Sequence, residues 1–115
     1  MTAEADMERL LDKYGITYPA CGAEVPRGWF TLLDRLLADL VALGWDRDCQ
    51  QLKEKFGGLR CYVGEASAEC HSRIRAAEVE SMRTCEVCGA EGKRGVANGW
   101  VLVYCDAHAL PAGER

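Results

Sequence analysis

Cys85-Glu86-Val87-Cys88, followed after sixteen residues by Cys105-Asp106-Ala107-His108, is the most informative part of the sequence. Two ligands three residues apart can reach one metal ion from a tight turn, and Zn²⁺ takes four thiolate or imidazole ligands in a tetrahedron. Cys85, Cys88, Cys105 and His108 therefore predict a site for one Zn²⁺. Four protein ligands leave no position for water or substrate, so the expected role of the ion is structural. The alternative is a set of ordinary buried thiols beside a histidine.

The residues between the two ligand pairs suit such a site. Gly89, Gly92 and Gly95 favour a tight knuckle with positive φ angles. Asn98-Gly99 is a typical two-residue hairpin turn, and the apolar strand Trp100–Tyr104 after it returns the chain to the first ligand pair. We therefore predict a treble-clef-like zinc knuckle, although Pro111 leaves little room for the helix that usually ends a treble-clef finger.

Seven cysteines cannot all be paired, and no secretion signal is evident, so free thiols or metal ligands are expected. The cysteines outside the predicted site share no CxxC-like spacing, and small buried thiols are common in protein cores. A second metal site remains an alternative for these residues, which are Cys21, Cys49, Cys61, Cys70 and His71.

Two helices are predicted in the N-terminal part. Apolar residues at helical spacing run from residue 6 to 14, and Gly15 follows as a C-cap. A longer Leu-rich series extends from about 29 to 43 and ends at Gly44. Its apolar face is expected in the core, with a partner-facing groove as the alternative.

The middle of the chain predicts a β-hairpin and a third helix. Residues 51–56 and 59–63 flank a predicted turn at Gly57-Gly58, with Leu52 and Phe56 on the buried side. Ser67 can cap a helix that runs to about Met82.

With 115 residues, the chain is expected to form a single small α+β domain over 1–115. It would contain a helical and hairpin part (1–83) and a zinc-binding subdomain (84–115). No apolar run is long enough to span a bilayer, and the N-terminus lacks the features of a signal peptide, which predicts a cytoplasmic protein with no membrane partner.

The sequence predicts no enzymatic activity. The HxE and PCxxC elements of zinc deaminases, the HExxH motif of metalloproteases and the P-loop motif are absent. Cys70 and His71 are adjacent on a predicted helix, so their side chains point in different directions and cannot form a nucleophile and base pair.

Charge is unevenly distributed in a chain of net charge -4, because residues 49–62 contain three bases and one acid. Lys53, Lys55 and Arg60, with Tyr62 nearby, could grip a phosphate backbone, and Lys93 and Arg94 could extend this patch. Alternatively, these cations only cover an exposed hairpin face. The acidic long helix, with Asp34 and Asp39, could engage a basic partner surface.

Four sequence motifs of the chain, taken in order, resemble those of a group of small, mostly uncharacterised phage and prophage proteins. These proteins share GWxxLLDRL, KEKFGGLRxY and CxxCG…CxxH motifs. The matching residues are Gly28-Trp29-Phe30 with Leu33-Asp34-Arg35-Leu36, Lys53–Arg60 with Tyr62, Thr84–Gly89, and Cys105–His108. The resemblance implies a phage or prophage origin and a zinc finger on the same four ligands, but no activity. Cys61 stands where an aromatic residue is expected, which indicates a core substitution.

Small phage proteins of this kind often occupy a host protein. The resemblance therefore implies a non-enzymatic protein in the bacterial host cell that binds and inhibits or redirects a host macromolecule, such as a CRISPR or restriction complex (an anti-CRISPR-like protein). Its binding surface would combine Lys53, Lys55, Arg60 and Tyr62 with Asp34 and Asp39, and its partner would be a host protein or a protein–nucleic-acid complex. The alternatives are a nucleic-acid-binding regulator and a virion or assembly component.

Overall fold

The computed structural model describes residues 3–16, 22–97 and 99–108. Within these residues the chain forms an α+β domain with three helices and two small sheets, as predicted. The helices are α1 (Ala3–Lys13), α2 (Phe30–Ala42, preceded by a 3₁₀ turn, Arg27–Trp29) and α3 (Ala68–Ser81). The strands are β1 (Gly22–Glu24), β2 (Cys49–Lys55), β3 (Gly58–Val63), β4 (Lys93–Ala97) and β5 (Trp100–Tyr104).

Helices α1 and α2 end at the glycines that the sequence indicates. Gly15 and Gly44 have φ angles of +73° and +85°, which most residues with a Cβ avoid. After each glycine the chain turns back, so that the Ile16 N–H reaches the Leu11 carbonyl and the Trp45 N–H reaches the Leu40 carbonyl, both at 3.0 Å. These bonds satisfy carbonyl groups that a helix end would otherwise leave free.

The Leu-rich face of α2 lies in the core, as predicted. Its buried residues pack in one cluster with residues from α1, the first sheet and α3. The members from α2 are Leu32, Leu33, Leu36, Leu37 and Leu40.

The first sheet has the order β1-β2-β3, with β1 parallel to β2 and β2 antiparallel to β3. Strand β1, formed by Gly22–Glu24, was not predicted from the sequence. The pairing of β1 with β2 joins segments that are about thirty residues apart, as in Ala23 with Leu52. Local sequence patterns give no information on such a contact, and a strand of three residues has little pattern of its own.

The predicted turn of the β2–β3 hairpin was wrong by one residue. Lys55 pairs with Gly58, so the two turn residues are Phe56 and Gly57, with φ angles of +54° and +75°. Phe56 is 62% exposed and does not lie on the buried side. A left-handed conformation costs a residue with a Cβ about 1–2 kcal/mol, so turn rules favour glycine there. In the observed register, the turn contacts residues that are distant in sequence. Rules based on the local turn sequence do not take such contacts into account.

Helix α3 begins after Ser67, whose Oγ accepts the Cys70 N–H, as predicted. The helix covers the outer edge of β3. The Leu59 N–H donates to Ser81 Oγ at 2.8 Å, and the Cys61 N–H donates to Glu78 Oε2 at 3.1 Å. Two strand donors that have no neighbouring strand are thereby satisfied.

None of the helices in the described ranges has both the length and the apolar character that crossing a membrane requires.

Candidate metal centre

The first ligand pair lies in a tight turn after α3. The Gly89 N–H donates to the Cys85 carbonyl at 3.0 Å, and the Cys85 N–H donates to the Ala90 carbonyl at 2.7 Å. Gly89 has a φ of +82°, as the knuckle prediction requires, whereas Gly92 and Gly95 do not have positive φ angles. Gly92 is needed for another reason, because a Cβ there would lie 2.8 Å from the carbonyl oxygen of Tyr104.

The β4–β5 hairpin brings the second ligand pair back to the first. Lys93 pairs with Tyr104 at the open end of this hairpin, so Cys105 follows directly at the knuckle. The His108 N–H then donates to the Cys105 carbonyl at 3.0 Å in a second tight turn. The predicted turn residue Asn98, and the segment around Pro111 in which a treble-clef finger would have its helix, lie outside the described residues.

The four ligand atoms of Cys85, Cys88, Cys105 and His108 all lie within 4.8 Å of one another. Cys88 Sγ is 3.6 Å from Cys105 Sγ, and His108 Nδ1 is 3.7 Å from Cys85 Sγ and 3.2 Å from Cys105 Sγ. A metal bound at Zn–S distances of about 2.3 Å would place two sulfurs about 3.8 Å apart in a tetrahedron. These four residues could therefore hold one metal ion.

The thiols of this cluster are not joined to each other. A disulfide has an S–S distance of about 2.05 Å, and none of the six described cysteines forms a disulfide. Their sulfurs accept backbone hydrogen bonds instead, from Val87 N to Cys85 Sγ at 3.4 Å and from Ala90 N to Cys88 Sγ at 3.5 Å. Such bonds stabilise thiolates, which is the form that binds a metal.

The two knuckle thiols differ in acidity. Burial opposes ionisation of Cys85, but backbone hydrogen bonds from Cys88, Cys105 and Val87 outweigh it and lower the pKa of Cys85 to about 6. At Cys88, the Ala90 N–H favours the thiolate, whereas desolvation and the neighbouring Cys105 and Cys85 sulfurs raise its pKa. Cys85 therefore ionises before Cys88, and a metal ion must displace the proton from Cys88.

The knuckle is packed directly against the start of α2. The Gly28 N–H donates to the Glu86 carbonyl at 2.8 Å, and Nε1 of the buried Trp29 donates to the Thr84 carbonyl at 2.9 Å. A Cβ at Gly28 would overlap the Cys85 carbonyl oxygen and lie 2.5 Å from the Glu86 carbonyl carbon. Gly28 and Trp29, which begin the first of the sequence motifs, thus contact the knuckle motif Cys85–Gly89.

Glu86 connects the knuckle to β5. Its N–H donates to the Val103 carbonyl at 2.9 Å, and its Oε2 accepts the Val103 N–H at 2.7 Å. Burial raises the pKa of Glu86, although the Val103 N–H acts in the opposite direction. Gly28, Trp29 and Glu86 were not predicted to have this role. The only local signal was the Gly28-Trp29 pair directly before the start of α2.

The other cysteines are placed as core residues. Cys49, Cys61 and Cys70 are buried in the main core cluster, which confirms the interpretation of Cys61 as a core residue. Among the described residues, the cluster at Cys85 is the only group of metal-ligating side chains found, and His71 is exposed. Cys21, a possible member of a second site, lies outside the described residues.

The predicted basic residues lie together on one face of the first sheet. Lys53 is directly opposite Arg60, Tyr62 is opposite Gln51, and Lys55 follows Lys53 by two residues, so alternation places them on the same face. Leu52, Leu59 and Cys61 occupy the other face, in the core. We call the face formed by Lys53, Lys55, Arg60 and Tyr62 the basic sheet face.

The two predicted acidic residues lie elsewhere, on α2. Asp34 binds Lys13 Nζ at 3.1 Å and accepts a hydrogen bond from the Tyr14 hydroxyl, both from the end of α1. Asp39 lines a shallow groove between α2 and α3 with Arg73. The buried face of α2 packs in the same core as Leu52 and Leu59, so the basic sheet face points away from it.

Comparison with protein-family models, curated proteins and solved structures finds no match to this chain.

Proposed function

We propose that Cys85, Cys88, Cys105 and His108 bind one Zn²⁺ and that this ion has a structural role. The proposal is supported chiefly by the four ligand atoms within 4.8 Å of one another, which match a tetrahedral set of three sulfurs and one nitrogen. This donor set suits zinc, and the protein fills all four positions. The ion would hold the knuckle and the end of β5 together.

Metal content tests the zinc proposal directly. The purified protein should contain one zinc per chain by elemental analysis, and His108→Asn should reduce zinc affinity and thermal stability. His71→Asn is the matched control, because His71 is exposed on α3, away from the cluster. Full zinc content in His108→Asn, or none in the wild type purified without chelator, would contradict the proposal.

We further propose that the protein is a binding protein without a catalytic centre. A metal whose four positions are filled by protein supplies no site for substrate, and its bond energy contributes to folding. From the resemblance to small phage and prophage proteins, the target would be a host macromolecule, in particular a defence complex such as CRISPR or restriction machinery, which the protein inhibits or redirects in the host cytoplasm.

Affinity capture tests this second proposal. The tagged protein is incubated with bacterial lysate in the presence of nuclease, and retained proteins are identified by mass spectrometry. A host protein retained in stoichiometric amount, and lost with a variant of the basic sheet face, would support the proposal. Self-assembly into large oligomers would support a virion or assembly component instead.

A further inference from the structure

We propose that the basic sheet face, together with Phe56, binds single-stranded nucleic acid. This inference rests on the proposed function, because it gives the chemistry of the macromolecule that the protein engages. It depends on the charges of the face, on two exposed aromatic rings and on the backbone conformation of Phe56.

The cations of this face form none of the ion pairs in the described part of the protein. Ion pairs there join Arg9 and Arg27 to Asp6, Lys13 to Asp34, and Arg35 to Glu80. Lys53, Lys55 and Arg60 take part in none of these pairs. The acidic residue beside these cations is Glu24 of β1, which pairs with Lys53 of β2. Three cations beside one acid form a local positive surface on a chain of net charge -4.

Two exposed rings flank these cations. Tyr62 is 44% exposed with Lys53 Nζ 5.9 Å from its ring centroid, and Phe56 is 62% exposed with Lys55 Nζ 5.7 Å from its centroid. Aromatic rings next to flexible cations are the arrangement that binds single strands, since bases stack on the rings while the cations contact phosphates.

A two-residue turn needs a positive φ at position 56, but nothing in the stability of the fold explains the choice of Phe56 there. Its φ of +54° is unfavourable for a residue with a Cβ, and its ring is mostly in solvent. Asparagine at this position would give an Asn-Gly turn, which suits the observed φ angles better. Unfavourable backbone conformations that persist in folded proteins cluster at functional sites. The exposed ring therefore points to a ligand.

The β4–β5 hairpin holds this turn in place. Arg94 Nε, on β4, donates to the Phe56 carbonyl at 3.0 Å. A Cβ at Gly57 would be 3.0 Å from Val101 Cγ1 of β5, so the two hairpins are in close contact. Arg94, which was predicted to extend the basic patch, thus supports the Phe56 turn.

A nucleic acid fits this surface better than an acidic protein. The centres of protein–protein interfaces are depleted in lysine, whereas this face has Lys53 and Lys55 between its two rings. Lysine side chains are among the groups that contact phosphate oxygens in protein–nucleic-acid complexes. A protein partner remains an outcome of the test.

The experiment measures fluorescence anisotropy of a labelled oligothymidylate of about 15 nucleotides with the zinc-loaded protein at several salt concentrations. We expect binding that weakens with salt, and a decrease of about 0.7 in the slope of log K against log[salt] for Lys55→Ala. Arg73→Ala is the matched control, since Arg73 is an exposed cation in the α2–α3 groove, and it should leave affinity and slope unchanged.

Phe56→Asn separates binding from folding. This variant should raise the melting temperature, because it relieves the backbone, and weaken oligonucleotide binding by about tenfold through loss of stacking. Unchanged binding in both Phe56→Asn and Lys55→Ala would overturn the proposal, as would equal affinity for duplex and single strand. A wild-type protein that contains zinc and captures a host protein but binds no oligonucleotide would overturn this inference alone. Absence of zinc would instead contradict the metal proposal.

Discussion

The Gly28 N–H donates a 2.8 Å hydrogen bond to the carbonyl oxygen of Glu86, a residue located between the first two metal-ligating cysteines. The bond joins the start of α2 to the knuckle, with no room for a side chain at Gly28. The segment after residue 83 is therefore packed on the helical part through its backbone.

Gly28→Ala should destabilise the protein by about 3 kcal/mol, because the new methyl group meets backbone atoms that cannot rotate away. Urea unfolding of the zinc-loaded protein measures this loss. Gly95→Ala is the matched control, since nothing lies within 4 Å of a Cβ there. Equal stability of the two variants would show that the knuckle can move away from α2.

Metal removal should destabilise the β4–β5 hairpin before the main core cluster. The main core cluster consists of residues up to Ala77, whereas Val103 packs outside it, so a chelator should first expose the β4–β5 hairpin. We expect loss of amide hydrogen-exchange protection at Val103 with retention at Leu37. Simultaneous loss at both residues would indicate that the whole domain unfolds with the metal.

Asp34→Asn should destabilise the protein at pH 7 but not in acid. The Tyr14 hydroxyl, and then Lys13, lower the pKa of Asp34 in the folded state, although burial acts in the opposite direction. A lowered folded-state pKa contributes stability above the unfolded value, which is lost as pH falls through the folded value. Because Asp34 is partly exposed, we expect a difference below about 1 kcal/mol, which shrinks as the pH falls through the folded-state pKa of Asp34.

Urea unfolding at pH 7 and at low pH measures the effect of Asp34→Asn. The comparison variant is Asp39→Asn, because the Asp39 carboxylate makes no hydrogen bond or ion pair with residues of the described ranges. A difference from wild type that persists unchanged in acid would exclude the carboxylate charge as its source.

Ser81→Ala should cost about 1–3 kcal/mol, because it removes the acceptor of the buried Leu59 N–H. Ser72 is exposed on the same helix, so Ser72→Ala provides the control in thermal unfolding. Similar melting temperatures for the two variants would mean that water replaces the Ser81 hydroxyl at the edge of β3.

Local chemistry made much of the structure predictable. The helix ends follow from Gly15 and Gly44, where a positive φ is needed, and the start of α3 follows from the hydroxyl of Ser67. The four-residue cluster follows from ligand spacing and the return of the β4–β5 hairpin. In each case the residues that decide the structure are close in sequence or joined by one turn.

The features that were missed depend on distant contacts. Strand β1 exists through pairing with β2, and the turn at Phe56 is held by Arg94 from another hairpin. The contact of Gly28 with Glu86 joins positions that no periodicity relates. A sequence motif indicates that a residue is important, but the atoms that it contacts can be read only from the folded chain.

The bonds between Glu86 and Val103 also bear on aggregation. Strand β5 has the sequence Trp-Val-Leu-Val-Tyr, an uncharged apolar segment of the kind that adds to strands of other molecules. Glu86 occupies both the N–H and the carbonyl of Val103 and thereby blocks the middle of an edge at which a foreign strand would pair. If the knuckle opens, this edge is released, so the folded knuckle also protects the protein from intermolecular strand addition.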